Sequence, residues 1–319
     1  MRNRVLFGGG QLRKRAVMAV SLNLVVGVLG ELSLGHAGFM SVGAFSGVAA
    51  AVLLQNIIPI AALRLTVAML VGAAFAALAG FIIGIPVLRL KGDYLAIVTL
   101  AFGEIIKSLL NNFYLGVDSG GLHFSMLTDN TRLLAGGKLI IRGPMGISGI
   151  QKISTFPAGF ALTIISLAIV FNLVNSRMGR SFMAIRDDRI AAESVGIDIT
   201  KYKMMAFVMS AAIAGAAGCL FAMNYSTIVA NKFDFNTSIL ILVFVVLGGQ
   251  GNMLGSVIAA AALTILPEKL RSFADYRMLL YAVVLIIVML GTNNANIKRF
   301  FEKLNPFNRN KGQDEAGED

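Results

Sequence analysis

The sequence has 319 residues, of which 56% are hydrophobic and 14% are charged. Soluble globular domains carry about 25% charged residues, so this composition excludes an ordinary soluble domain and indicates an integral membrane protein. The net charge of +11 would also suit nucleic-acid binding, but the basic residues lie between apolar blocks, as expected of cytoplasmic loops. We therefore expect membrane lipid, and not nucleic acid, around this chain.

Apolar runs of a length that suits a hydrocarbon core recur along the chain. They lie near residues 16–30, 37–54, 65–88, 94–113, 156–176, 204–223, 238–266 and 278–292. The sequence therefore predicts an all-α polytopic membrane protein with roughly eight to ten transmembrane or re-entrant helices. Residues 1–293 form the transmembrane domain in this prediction, and residues 294–319 form a polar cytoplasmic tail without stable structure.

Two polar stretches between the apolar runs set the expected orientation. The stretch at about 177–203 is basic, and the positive-inside rule places it in the cytoplasm together with the basic clusters at 13–15 and 298–311. The longer stretch at about 114–155 then lies on the extracytoplasmic side.

If every apolar run crossed the membrane once, the basic segments would not all lie on the cytoplasmic side. They can do so only if two of the runs are broken. The run 238–266 contains glycines at 248, 249 and 251, and each glycine inside a helix costs about 1 kcal/mol relative to alanine. The segment 30–38 between the first two runs is also rich in glycine. We predict glycine-broken helices at both places, and we expect an inverted repeat with a transport site between its halves.

A charged segment within 177–203 predicts a short helix at the cytoplasmic surface. Residues 181–195 place alanine and isoleucine among charges, and Gly179 and Gly196 lie at the two ends. Such a helix suits docking into a groove of a partner, but it is equally consistent with an ordinary interfacial helix held by lipid headgroups.

Charged residues inside apolar runs are costly and mark candidate functional positions. Glu104 and Lys107 are three residues apart, so they can pair on one helix face, either along a transport path or as a neutral structural pair. Glu31 and His36 flank the first glycine-rich segment, where they can line a cavity or cap helix ends. Asn23 is a candidate for hydrogen bonding between helices, but packing is its expected role.

The sequence offers little support for an enzyme. It lacks a Gly-x-x-x-x-Gly-Lys-Ser/Thr loop, so the chain is not expected to hydrolyse ATP alone, and it lacks the common zinc and serine-hydrolase motifs. The single cysteine, Cys219, is expected to be a packing residue. Two histidines are too few for a metal site without help from carboxylates. We expect no catalytic residue, metal or cofactor in this chain.

Four motifs, in order, resemble those of branched-chain amino acid ABC permeases. They are the segment 32–40 with Gly43-Ala44-Phe45, the segment 88–100 with Gly103-Glu104-Ile105-Ile106, the run Gly179 to Gly196, and Leu247-Gly248-Gly249-Gln250-Gly251 with Leu254-Gly255. The second motif is similar to the M-type (LivM-like) subunit of these permeases. Gln250 departs from the apolar residue that often stands there in the family.

The resemblance implies a multi-pass permease subunit in the bacterial inner membrane, with residues 1–293 as its permease domain. It implies an H-type permease partner, two ATP-binding cassette ATPases that hold ATP and Mg²⁺, and an extracytoplasmic amino-acid-binding protein. The family's coupling loop corresponds here to Arg186, Asp187, Asp188, Ala191, Glu193 and Gly196. The expected translocation path includes Glu31, His36, Glu104, Gly248, Gly249 and Gly251.

Two alternatives remain open at this point. A permease for urea or short amides has the same architecture with another cargo. An ion-coupled secondary transporter shares broken helices and repeats, and it would need an intramembrane carboxylate such as Glu104 to titrate or to bind a cation.

Overall fold

The computed structural model describes residues 14–55, 57–90, 92–118, 121–126, 138–269 and 286. The predicted tail at 294–319, and the predicted helix at 278–292 apart from residue 286, lie outside these ranges. The chain divides into two compact units, residues 1–264 and 265–319, and nearly all described residues belong to the first.

The described residues form ten helices. α1 covers residues 14–28 and ends in a π-helical turn, Leu24–Val28; the others are α2 (His36–Leu53), α3 (Ala61–Val87), α4 (Asp93–Asn111), α5 (Phe156–Asn175), α6 (Arg177–Asp187), α7 (Arg189–Ser194), α8 (Ile199–Ala222), α9 (Phe235–Gly248) and α10 (Met253–Lys269). Within the described ranges, α2, α3, α5, α8 and the segment Ala230–Gly248 are long and apolar enough to cross a membrane. The predicted polytopic helical architecture is confirmed.

Both predicted glycine breaks are present. Residues 29–35 are not helical and separate α1 from α2. The second break separates α9 from α10, and it contains Gly249 at φ +88° and Gly251 at φ +83°. Residues with side chains rarely adopt this left-handed backbone, so glycine permits the tight turn here.

Small residues hold α2, α3 and α8 close together. Gly43 of α2 faces the backbone of Gly215 in α8, with no space for a side-chain carbon between them. A Cβ on Gly80 of α3 would lie 2.7 Å from the Ala211 Cβ of α8. Helices in lipid associate through such close backbone contacts, because apolar side chains gain nothing by leaving lipid for one another. The outward faces of α3 and α5 carry exposed apolar side chains, which suit lipid.

The polar stretch 114–155 contains strands that the sequence did not predict. β1 (Phe113–Asp118) lies between β2 (Gly121–Met126) and β3 (Lys138–Arg142) in an antiparallel sheet. β4 (Ile147–Ser148) pairs with β5 (Thr227–Ile228), which follows α8. The strands add to the helical architecture at one end of the molecule.

α8 defines two ends of the helical unit. It begins next to α6 and α7 and finishes next to β5, and its 24 residues span about 36 Å at 1.5 Å per residue. We call these the α6 end and the sheet end.

The expected position of the basic cluster at 13–15 is wrong for its described members, Lys14 and Arg15. The Lys14 Nζ lies 3.7 Å from the ring centroid of Phe221, near the last turn of α8. Lys14 therefore lies at the sheet end, whereas the basic segment 177–203 lies at the opposite end. α1 runs from the sheet end, where Lys14 lies, to the α6 end, where Gly27 contacts Arg186, so the break at 29–35 does not return the basic cluster to the α6 end.

Each glycine break joins two helices into a hairpin, α1 with α2 and α9 with α10. The two hairpins run in the same direction. α1 and α9 both start near the sheet end, and Gly27 near the end of α1 meets Gly251 in the turn that follows α9. Elements related by an inverted repeat run in opposite directions across the membrane. This pair of hairpins therefore does not form the two halves of the expected inverted repeat.

The charged segment 181–195 forms two helices and not the single helix that we predicted. α6 ends at Asp187, and the extended backbone of Asp188 separates it from α7. The Asp188 carboxylate accepts hydrogen bonds from the backbone N–H groups of Ile190 and Ala191. This N-cap stabilises the start of a new helix, and the cap competes with continuation of α6.

Candidate functional site

The two glycine breaks contact each other at the α6 end. The Asn23 side chain accepts a hydrogen bond from the Gly251 backbone N–H at 2.9 Å and donates one to Ser256 Oγ at 2.9 Å. Gly27 lies so close to Gly251 that a Cβ on Gly27 would overlap the Gly251 backbone nitrogen. Packing was the role expected for Asn23 from the sequence, but its side chain forms hydrogen bonds that join the end of α1 to the start of α10.

Arg186 of α6 contacts the end of α1 and the first break, and it lies near the second break. Its Nη1 donates a hydrogen bond to the carbonyl of Gly27 at 3.2 Å, and its aliphatic carbons cover Gly30, where a Cβ would lie 2.6 Å from the Arg186 Cγ. A Cβ on Gly251 would lie 4.0 Å from the same Nη1. The last carbonyls of a helix lack partners within the helix, so a guanidinium is a suitable partner for Gly27. A displacement of α6 would therefore act on both breaks.

Asp187 holds the Arg186 side chain from the other side. Its Oδ1 accepts hydrogen bonds from Arg186 Nε at 3.0 Å and Nη2 at 2.9 Å. The Asp187 side chain is 67% exposed, so the pair is screened by solvent and adds little stability. Its effect is to orient the guanidinium toward Gly27.

A second contact joins the first break to α8. Glu31, in the nonhelical segment, forms an ion pair with Lys203, whose side chain is 2% exposed. Lys203 was assigned from the sequence to the cytoplasmic loop 177–203, but it lies inside α8, more than one turn after that helix begins. Lys203 directly precedes the apolar run 204–223, and this position is the signal in the sequence that indicates a buried partner.

α7 presents an exposed surface at the α6 end. Ile190 is 80% exposed and Val195 is 76% exposed, although both are apolar. The predicted coupling residues Asp188, Ala191, Glu193 and Gly196 are also exposed along this segment. Apolar groups among charges at an exposed helix are suited to docking into a groove of another protein. Ile190 and Val195 were not singled out from the sequence.

The other predicted path residues do not all come together. His36 is buried at the start of α2, and its Nε2 lies 2.7 Å from Ser21 Oγ in α1. Glu104 pairs with Lys107 along α4, as its spacing predicted. Gly248 packs against Ser256 of α10, beside the second break. Glu31 and Gly251 lie near Arg186, whereas His36 is nearer the middle of α1.

Metal binding gains no support from the part of the chain that the structure describes, in which no three histidine, cysteine or carboxylate side chains form a suitable group. The arrangement at the α6 end offers helix-end dipoles, one oriented guanidinium and an exposed docking helix. Broken membrane helices that are joined to an exposed docking helix are typical of a membrane permease.

The comparisons with known proteins agree with this class. The family model described as the permease component of branched-chain amino acid transport systems matches residues 14–289. The high-affinity branched-chain amino acid permease protein LivM of Salmonella typhimurium is 36% identical over 290 residues, which cover 86% of this chain and 65% of LivM. LivM of Escherichia coli is 34% identical over a similar span. The ribose import permease protein RbsC of Haemophilus influenzae is 23% identical over 300 residues, 91% of this chain and 84% of RbsC.

The chain is a multi-pass membrane protein and belongs to the family of branched-chain amino acid transport permease components. It is similar to LivM over most of its own length, and it spans about two thirds (65%) of the length of the LivM proteins. No solved structure matches the chain.

Proposed function

We propose that this chain is a membrane-spanning permease subunit of an ABC importer for leucine, isoleucine and valine in the bacterial inner membrane. Membership of the family and the similarity to LivM support the class of transporter and the cargo. The basic segment between α5 and α8 supports a cytoplasmic location for the α6 end. The sheet end then faces the extracytoplasmic side.

The partners follow from this proposal. Two ATP-binding cassette ATPases hold ATP and Mg²⁺ and dock at the α6 end, and an H-type permease subunit completes the path. An extracytoplasmic binding protein delivers the amino acid at the sheet end. This chain contributes no ATPase site of its own.

The observation that carries the proposal is the contact of Arg186 with the end of α1 and the first glycine break, where Gly27 in turn contacts Gly251 of the second break. α7 follows α6 directly, so an ATPase that docks on α7 would move α6 and with it the guanidinium that holds Gly27. A nucleotide-dependent change in docking therefore shifts the two hairpins between alternative arrangements. Such a shift requires that the docked ATPases bind the two states with different affinity.

The test is leucine-stimulated ATP hydrolysis and leucine uptake by the complete complex in liposomes. The variants are Asp188→Asn, which keeps an N-cap without the charge, Asp188→Arg, which loses the cap, and Ile190→Arg, which places a charge on the exposed apolar surface. We expect Asp188→Asn to retain most of the coupling. Asp188→Arg and Ile190→Arg should each lower stimulated hydrolysis by about tenfold or more, equivalent to about 1.4 kcal/mol of lost interaction.

The control is Ser181→Ala on α6, because the Ser181 hydroxyl donates to the Arg177 carbonyl within the same helix. Quantification of all subunits in purified complexes separates lost coupling from lost assembly. Uptake that persists without any ATPase and follows an ion gradient would overturn the proposal in favour of a secondary transporter. Uptake of urea but not leucine would keep the ABC architecture and change the cargo.

A further inference from the structure

A cavity lies at the sheet end, far from the docking surface of α7, and the proposed coupling gives it no role. It has a volume of about 460 Å³ and lies between α1, the end of α8 and the start of α9. Its apolar lining consists of Met18, Met40, Phe221, Phe233, Leu240, Ile241 and Phe244. Its polar lining consists of Lys14, Arg15, Tyr225, Asn231, Lys232, Asp234, Asn236 and Thr237. The cavity is therefore apolar on one side and charged on the other.

Lys14 is buried in this lining against the rings of Phe221 and Tyr225. Its residue is 3% exposed, and its Nζ lies 3.7 Å from the Phe221 ring centroid and 3.5 Å from the Tyr225 hydroxyl. No described carboxylate lies within ion-pair distance of it. Aromatic faces compensate part of the cost of burying an ammonium, but a buried cation is stabilised much more by an anion.

The neighbouring acidic residue, Asp234, caps a helix through one of its two carboxylate oxygens. Asp234 Oδ1 accepts hydrogen bonds from the Thr237 backbone N–H at 3.0 Å and from the Thr237 hydroxyl at 2.9 Å, as the N-cap of α9. Lys232 lies over the Tyr225 ring, with its Nζ 4.5 Å from the centroid. The charged side of the cavity is therefore a place where two ammonium groups share one aromatic ring, and it favours an anionic ligand.

We propose that this cavity binds a free α-amino acid, with its apolar side chain against Met18, Met40 and Phe244. The Asp234 carboxylate accepts the α-ammonium group of this zwitterion. Lys14 and the Tyr225 hydroxyl are the groups that recognise the carboxylate. The choice of leucine as the amino acid rests on the proposed function. The position at the sheet end suits a site that receives the amino acid before it enters the bundle.

An anionic lipid offers the same chemistry, an anionic head with an apolar body. The volume of about 460 Å³ is sufficient for an amino acid with several waters. The experiment includes an arm for each source.

The absence of tryptophan from the sequence allows a local optical measurement. Phe221→Trp places a single tryptophan under the Lys14 Nζ, and it preserves the aromatic face. Phe160→Trp, on the exposed face of α5, gives a matched reporter away from the cavity. The full chain carrying either reporter is placed in nanodiscs of neutral phosphatidylcholine and titrated with L-leucine, leucinol and glycine.

We expect a saturable change in the Phe221→Trp emission with L-leucine and none in the Phe160→Trp emission. Leucinol lacks the carboxylate and glycine lacks the apolar side chain, so each should bind at least about tenfold more weakly than L-leucine. Lys14→Gln in the Phe221→Trp background should weaken the binding of L-leucine by about tenfold or more.

Equal responses to L-leucine and leucinol would overturn the carboxylate site, even if the Lys14→Gln protein does not fold. A response to phosphatidylglycerol in the nanodisc, without a response to L-leucine, would assign the cavity to lipid and also overturn the proposal. Leucine uptake by the complete complex distinguishes the two proposals: uptake with no reporter response refutes this site and leaves the importer function in place.

Discussion

The side-chain oxygen of Asn23 accepts a hydrogen bond from the backbone N–H of Gly251, 228 residues further along the chain, at 2.9 Å. This single buried amide connects the first helix to the turn that starts α10. It also donates to Ser256, so both ends of the amide have partners on the same helix. Removing it would leave the Gly251 N–H and the Ser256 hydroxyl without that partner.

Asn23→Ala should therefore destabilise the fold by about 1–3 kcal/mol, the usual cost of leaving a buried polar group unpaired. Thermal unfolding of the purified chain in detergent, followed by circular dichroism, measures the change. Asn175→Ala, at the exposed end of α5, is the matched control and should shift the midpoint little. A midpoint for Asn23→Ala equal to that of the control would show that the bridge contributes nothing.

Arg186→Gln should uncouple transport from ATP hydrolysis in the complete complex. The variant loses the hydrogen bond to the Gly27 carbonyl, while α7 and its exposed surface remain. Hydrogen bonds from charged groups contribute about 1.5–3 kcal/mol, so we expect leucine uptake per ATP to fall by roughly tenfold or more. Arg180→Gln, exposed on the same helix, should keep normal uptake per ATP. Equal ratios in the two variants would exclude Arg186 as the link.

Lys203→Met and Glu31→Gln should each destabilise the protein more than the two changes together. A buried charge left without its partner costs about 3–5 kcal/mol, whereas replacing both members of a buried pair is often nearly neutral. The four proteins of this cycle are compared by their thermal midpoints in detergent. Additive losses would mean that the two side chains do not stabilise each other.

Gly43→Ala should weaken the packing of α2 against α8 strongly, because the new methyl group would overlap the Gly215 backbone. Overpacked positions typically cost about 1–3 kcal/mol. Gly103→Ala is the graded control, since its nearest neighbour would lie 3.3 Å away and requires only a small adjustment. The thermal midpoints of both variants give the comparison, and an equal loss in the two would argue against close backbone contact at Gly43.

The sequence predicts the helices well because apolar length and glycine clusters act locally. The break at 248–252 follows from three glycines in five residues, and the structure ends α9 at Gly248. The pairing of Glu104 with Lys107 follows from helical spacing alone. These features depend on residues that are close in the chain.

The features that the sequence did not predict depend on distant contacts. α6 and α7 are separate because Asp188 caps the start of α7 and does not continue α6. The burial of Lys203 requires Glu31, 172 positions away, and the position of Lys14 at the sheet end requires Phe221 and Tyr225. The positive-inside rule counts charges by loop, so it cannot distinguish a buried lysine from a cytoplasmic one.

α1 and α10 contact each other along their length in an antiparallel register. Arg15 lies beside Thr264, Asn23 beside Ser256, and Gly27 beside Gly251. About 20 Å of helix therefore joins the Lys14 cavity to the guanidinium of Arg186. Because α1 and α10 are joined at three levels, they shift together. A ligand in the Lys14 cavity and an ATPase docked at the α6 end would therefore act on the same pair of helices. By linkage, an amino acid that changes the affinity of this chain for its ATPases must have its own affinity changed by the same factor when they dock.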